Sequence, residues 1–385
     1  MPKPRVNRRS GSSGEVLVLA RHPAIIAAAT DVALRVSGRS PHLLHNPREA
    51  LAALSRPGLP PRRVMLEPAV AGDSWAELLS TLDDPALTDA IVFVAAGPDG
   101  VPDGVAVMPP ETDRMVAALN APRPGNRRPP PHSAEALAAG LDRGALLVRY
   151  QPVVRVQDRR LMLVEALARW RGSPMVHGPD SFVPLVERAG LSRALAVAVV
   201  SGAARDMGGL AGRLPIGVSV NVSLDQLLRM DLASWIGRAL RTGSLPAHRL
   251  SLELTETTEV HDLATLGRAI ERIRAAGHQV FLDDLTIDDV RLRLMRLPFA
   301  GVKLDKALVG RLPHDARARR FVREVMAQAN RAGQVVTAEG VSDARLWRAV
   351  AGLGVHRAQG FWVGRPLPYS VLPFWARSWA ASPRG

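Results

Sequence analysis

The sequence has no cysteine among its 385 residues. That excludes disulfides, thiolate metal sites and cysteine nucleophiles together, and it points to a reducing cytoplasm as the compartment. Aromatic residues are scarce, at 4% against 47% hydrophobic residues, so the cores must be built mainly from Ala, Val and Leu. No apolar run reaches the roughly 18 residues of a membrane span; the longest, "ALAVAVVSGAA", lies between Arg193 and Arg205. The N-terminus lacks the apolar segment of a secretion signal. Lysine is nearly absent too: of 50 basic side chains, only Lys3, Lys303 and Lys306 are lysine. A chain that uses arginine almost everywhere keeps a lysine where a compact ammonium with a movable pKa is wanted.

What is present begins with charge. The formal net charge is +14, but the arginines are spread through every segment, and the stretches "MPKPRVNRR" and "RPGNRRPPP" read as solvated. This argues against a dedicated nucleic-acid surface and is compatible with an anionic small ligand.

The length predicts more than one domain. Residues 1–13 read as a disordered tail. Over residues 14–120, short apolar runs ("EVLVLA", "PHLLHN", "RRVMLE", "AIVFVAA", "GVAVMPP") alternate with helical periods from Glu15 on, predicting a five-stranded, flavodoxin-like doubly wound domain. Residues 121–133, "APRPGNRRPPPHS", read as a semi-rigid linker. Residues 134–385 carry eight strand-like segments, most separated by helical ones. They predict a TIM-like (β/α)8 barrel, with an open doubly wound sheet as the alternative.

In such a barrel the chemistry sits where strands end. Glu165 lies in "LMLVEALARW", with Arg169 four residues on. Asn221 ends "IGVSVNVS" and Glu256 ends "LSLELTE". Asp283 and Asp284 end "VFLDD", Lys303 lies in "GVKLD", Glu339 in "VVTAEGV" and Gln359 in "RAQGF". A basic chain thus gathers five acids on one rim. Isolated buried carboxylates cost several kcal/mol each, so they must be paired, protonated or metal-bound. An all-oxygen set suits Mg2+, Mn2+ or Ca2+, and a metal pair is the usual clamp for attack on a phosphodiester. Lys303 then holds or deprotonates the attacking water.

These motifs, with "YQPVV", "TAEGV" and "AQGFWVGRPLP", resemble the EAL domain, the cyclic di-GMP phosphodiesterase module of bacterial signalling, over about residues 140–370. The resemblance implies a modified TIM barrel that opens cyclic di-GMP to linear pGpG with two Mg2+ or Mn2+ ions. It implies Glu165, Asn221, Glu256 and Asp283 as ligands of one metal, and Asp283, Asp284 and Glu339 as ligands of the second. It casts Lys303, Glu339 and Gln359 as catalytic, and Gln151, Leu167, Arg169 and the segment 179–184 as substrate contacts. Glu259 matches a glutamate that anchors the loop after the Asp pair, and a homodimer is implied. That loop departs from the family, which usually reads Asp-Asp-Phe-Gly-x-Gly-x-Ser-Ser. Here Asp284 is followed by "LTIDDVR", without glycine or serine and one residue short, so the loop must take another shape. The departure keeps a second function open, a catalytically silent cyclic di-GMP sensor or partner-binding scaffold. The N-terminal domain resembles a response-regulator receiver whose active residues are replaced: Ala20 and Arg21 for the acidic pair, Glu67 at the phosphoacceptor position, Ala95 for the hydroxyl and Met108-Pro109 for Lys-Pro. This implies a pseudo-receiver that contacts a signalling partner.

Overall fold

Strands form where β-branched and leucine residues cluster between turn residues, and helices where apolar residues recur every three or four positions. The computed structural model describes residues 15–54, 62–72, 78, 81–82, 88–97, 99, 101, 106–120, 133–171, 176–255 and 262–381. They fall into two compact units, one within residues 15–120 and one within 133–381. The tail at 1–13 and residues 121–132 of the linker lie outside the described residues. Ser133 already belongs to the second unit: its side chain caps the helix Ala134–Asp142 by accepting from the Ala136 amide.

In the first unit, β1 (Val16–Leu19), β2 (His42–Leu44), β3 (Arg62–Leu66) and β4 (Thr88–Phe93) form a parallel sheet in the order β2-β1-β3-β4. All four β1 residues are buried, the mark of a parallel strand covered on both faces. Ile25, Ala29, Val32 and Ala33 of the helix Pro23–Ser37 pack with Val16, Val18, Met65 and Met115. Of the fifth predicted strand, Met108 pairs with Val94 in a parallel bridge, while residues 102–105 lie outside the described residues.

The second unit is a closed eight-stranded barrel. It comprises β5 (Leu146–Arg155), β6 (Leu161–Arg171), β8 (Gly217–Val222), β9 (Leu250–Leu254), β10 (Gln279–Leu285), β11 (Gly301–Leu304), β12 (Val335–Ala338) and β13 (Arg357–Gln359); the two-residue β7 (Val176–His177) pairs outside the ring with β6. Strands β6 and β8 to β13 run parallel, and β5 closes the ring antiparallel to both β6 and β13. This differs from a regular (β/α)8 barrel because only the short turn at 156–160, with Arg159 at φ 64°, joins β5 to β6. No helix crosses over, so the two strands must run in opposite directions.

The outer helices show why they form. Ala318, Phe321, Val322, Val325, Met326 and Ala329 bury one stripe of the helix Ala316–Ala332. Asp315 caps its start by accepting from the Arg317 and Ala318 amides, and Gly333 ends it at φ 66°; such an N-cap is worth about 1 kcal/mol. The helices Ser192–Leu210 and Leu232–Gly243 cross closely at Gly208 and Gly243, where a Cβ would collide with the partner's backbone.

Candidate active site

Strand parity decides which polar groups enter the barrel. Glu165 on β6 pairs in register with Ser219 of β8, and Asn221 two residues on pairs with Glu253 of β9. Two-residue alternation carries Glu165, Asn221 and Glu253 to the same face as Lys303 of β11 and Gln359 of β13. Of these, Glu165, Glu253, Lys303 and Gln359 are at most 5% exposed.

Lys303 is the hub. Its Nζ lies 2.7 Å from Glu253 Oε2, 3.2 Å from Asp283 Oδ1 and 3.3 Å from Glu165 Oε2, and it also pairs with Glu339. Glu165 is fixed further by Asn221 Nδ2, which donates to Oε1 at 2.9 Å, and by Gln359 Nε2, which donates to Oε2 at 2.6 Å. Gln359 Nε2 also donates to Gln151 Oε1 at 3.1 Å, and Gln151 donates to the Gly364 carbonyl.

One ammonium does not balance this many acids, and burial sorts them. Burial pushes Glu165 up, but the Lys303 charge and the bonds from Gln359 and Asn221 outweigh it and hold this carboxylate below its ordinary range. Burial pushes Glu253 well up, reinforced by Glu165 and Asp283. Burial likewise pushes Asp283 up to about 6 and Glu339 up to about 8, against the pull of Lys303. Asp284 is raised too, chiefly by burial. Burial alone would lower Lys303, yet the surrounding carboxylates carry it well above the ordinary lysine value.

Asp283 and Asp284 are adjacent, which on a regular strand would send them to opposite faces. A bulge changes this. Between Leu282 and Leu285, β10 has one residue more than β11, and Asp284 adopts a left-handed φ of 54°. One carboxylate oxygen each from Asp283, Asp284 and Glu339 then lie within 4.8 Å of one another. The site has two features of a hard-cation site: these converging oxygens, and the buried Asn221 Oδ1, which has no donor among the described residues. The residues fit a divalent cation.

A cavity of about 480 Å³ opens over this end. Glu165, Asn221, Asp283, Asp284 and Glu339 line its acidic side, and Leu167, Pro179, Val183 and Val199 line an apolar wall. Leu167 and part of the predicted 179–184 segment therefore reach the cavity. Gln151 and Arg169 are not among its lining residues: Gln151 buttresses Gln359 from behind, and Arg169 Nη1 donates to its neighbour's carbonyl, Ala168 O. Glu256 and Glu259 lie outside the described residues. The acid that β9 delivers to Lys303 is Glu253, which the rim reading passes over. Its signal was parity, since it sits at the same register level as Asn221, whereas Glu256 lies past the end of β9.

Among known proteins, the EAL domain model matches residues 134–366. The curated relatives include MucR of Pseudomonas aeruginosa, described as a bifunctional diguanylate cyclase/cyclic di-GMP phosphodiesterase. It is 32% identical over 242 residues, covering 61% of this chain and 35% of MucR. The cyclic di-GMP phosphodiesterase NbdA of the same organism is 30% identical over 249 residues, covering 64% of this chain and 32% of NbdA. The chain spans about a third of the length of each of these two relatives. A solved structure, the PaMucR phosphodiesterase in complex with c-di-GMP, superposes with a TM-score of 0.58 at 30% identity, covering 62% of this chain and 98% of that one.

Proposed function

Because the chain belongs to the EAL-domain family, we propose that its barrel is a cyclic di-GMP phosphodiesterase that releases linear pGpG. The single observation that carries this reading is the ring of buried oxygen ligands around Lys303, with the Asn221 Oδ1 acceptor left over. In this reading Glu165, Asn221, Glu253 and Asp283 hold one divalent ion, and Asp283, Asp284 and Glu339 hold the second. Glu253 takes the place first given to Glu256. Mg2+ or Mn2+ suits these ligands, and bound there it supplies a water of lowered pKa and neutralises charge on the phosphate.

The chain's own residues do the rest. Lys303 gathers the carboxylates of Glu165, Glu253, Asp283 and Glu339 around one ammonium, and in this reading it lies beside the attacking water. Gln359 and Asn221 fix the Glu165 carboxylate from both sides, so its orientation needs no adjustment during the reaction. Glu339, pushed up to about 8 by burial when no metal is bound, would give up its proton on ligating the second ion. The wall at Leu167, Pro179 and Val183 offers apolar contact to a guanine face. Arg169, whose Nη1 donates to the Ala168 carbonyl, is the substrate-phosphate contact in this reading.

The same reading extends to the rest of the chain. The barrel acts as a homodimer in the cytoplasm; among the described residues no helix is long and apolar enough to cross a membrane. The parallel order β2-β1-β3-β4 supports a flavodoxin-like pseudo-receiver in the first unit, one that meets a signalling partner. There Glu67, at the phosphoacceptor position, accepts from the Arg21 and His22 amides at 2.7 and 3.0 Å, which leaves it engaged with the β1 loop.

The test is product analysis. Purified chain given cyclic di-GMP with Mg2+ or Mn2+ forms the linear dinucleotide, and Glu165→Ala abolishes it. Tight binding of cyclic di-GMP with no turnover in either metal would overturn the enzyme reading and leave a sensor.

A further inference from the structure

The segment 285–291 rebuilds the rim without glycine, and its geometry assigns a role to one residue in it. The bulge takes Asp283 and Asp284 out of the regular ladder with β11. Their carbonyls receive a side chain instead: Arg291 Nη1 donates to Asp283 O at 3.2 Å and Nη2 to Asp284 O at 2.5 Å. The guanidinium is held in turn by Asp289. Arg291 Nε lies 3.1 Å from both Asp289 carboxylate oxygens, Nη2 lies 2.7 Å from Oδ2, and the Arg291 amide donates to Oδ1 at 2.8 Å. Asp289 also accepts from the Thr286 amide at 3.2 Å. Both side chains are largely covered, at 15% and 7% exposure, which protects this pair from the screening that weakens surface pairs. The two left-handed positions are Asp284 and Asp288, a residue type that tolerates that region; Leu285, Thr286 and Ile287 are not asked to adopt it.

We propose that Arg291, clamped by Asp289, is the positioning residue for the adjacent carboxylates Asp283 and Asp284. Arginine suits the task because its planar fork reaches two carbonyls and a carboxylate at once, whereas a lysine presents one centre. By fixing both peptide units of the bulge, Arg291 sets the direction in which each carboxylate leaves the backbone, and so the convergence with Glu339.

This rests on the metal reading above, and the experiment separates the two. The probe is Mn2+ alone, with its binding to the chelator-stripped full chain followed by electron paramagnetic resonance of free Mn2+. Wild type binds Mn2+. Arg291→Ala weakens binding about 10–100-fold, the usual cost of losing a residue that orients a metal ligand, and Arg291→Lys lies between. Asp289→Asn, which keeps the arginine but weakens its clamp, also weakens binding. The control Arg317→Ala, which releases only the exposed Asp288 on the same loop, binds like wild type. Unchanged Mn2+ affinity in Arg291→Ala overturns the proposal and leaves the metal reading standing. Equal losses in Arg291→Ala and Arg317→Ala, tracking thermal stability, also overturn it. If Arg291→Ala does not fold, wild-type-like binding by both Arg291→Lys and Asp289→Asn overturns it. Absence of Mn2+ binding in wild type overturns the metal reading and this proposal with it.

Discussion

Replacing Lys303 by Met leaves a buried group of carboxylates with no cation. In the structure its Nζ touches Glu253, Asp283 and Glu165 at 2.7–3.3 Å and also pairs with Glu339, at 3% side-chain exposure. Removing one partner of a buried ion pair typically costs about 3–5 kcal/mol. For a domain of this size about 1 kcal/mol lowers Tm by roughly 2–4 °C, so the loss is on the order of 10 °C. The sign of its pH dependence follows from the acids. Asp283 and Glu339 already sit above their ordinary values, at about 6 and about 8, and without Lys303 they rise further. A carboxyl raised in the folded state contributes stability that is present below its unfolded value and lost as pH rises through the folded value. The variant is therefore hurt most near pH 8 and recovers below about pH 5. Thermal unfolding in chelator at both pH values measures this directly. A Tm loss of the same size at both, or no loss at either, would show that Lys303 does not hold these carboxylates in their charged form.

The same linkage acts on wild type. Without metal its stability declines as pH rises through about 6 to 8, so Mn2+ raises Tm more near pH 8 than near pH 5; a thermal-shift series in both metals checks it. Gly360 lies at φ 150°, where a Cβ would come within 2.3 Å of the Val341 backbone. Gly360→Ala should destabilise the barrel by a few kcal/mol and displace the neighbouring Gln359, to be read by urea unfolding. His278 is buried, with Nδ1 at 3.1 Å from the Leu250 carbonyl, and burial holds its pKa below 6.5. It favours the neutral form when folded, so its contribution is present above about pH 6.5 and lost as pH falls. A His278→Gln variant should show a flatter loss of stability in that window, measured by the same urea titration.

The barrel was legible in the sequence because each strand reads as a short apolar run and most outer helices as an amphipathic period, several with a capping side chain. The antiparallel start was less so, since "LLVRYQPVV" and "LMLVEALARW" differ from the other strands only in lacking a helix between them. Most of the site was legible for the same reason: Glu165, Asn221, Asp283, Lys303, Glu339 and Gln359 all sit on or beside strands whose ends the pattern marks. Glu253 was missed because a rim argument looks for the last acid before the turn, while the barrel interior is set by parity: Ser251 and Glu253 face inward because Ser219 and Asn221 do. The loop was legible only as a departure. Missing glycines predict a different backbone, but not that aspartates take the left-handed positions or that Arg291 reaches back to the strand end. Those contacts span up to eight residues and depend on a bulge that no local pattern announces.

In the proposed function the carboxylate ring around Lys303 hydrolyses cyclic di-GMP. Its most direct test is the initial rate of linear dinucleotide formation with Mn2+, comparing wild type with Glu253→Gln, which keeps the shape of the side chain and removes its charge. Wild type should turn over steadily, with activity abolished by chelator and restored by Mn2+, and the variant should lose about 100-fold or more, the scale of a missing electrostatic contact at a reacting centre. Wild-type turnover that survives the chelator, or a Glu253→Gln variant as fast as wild type, would contradict it.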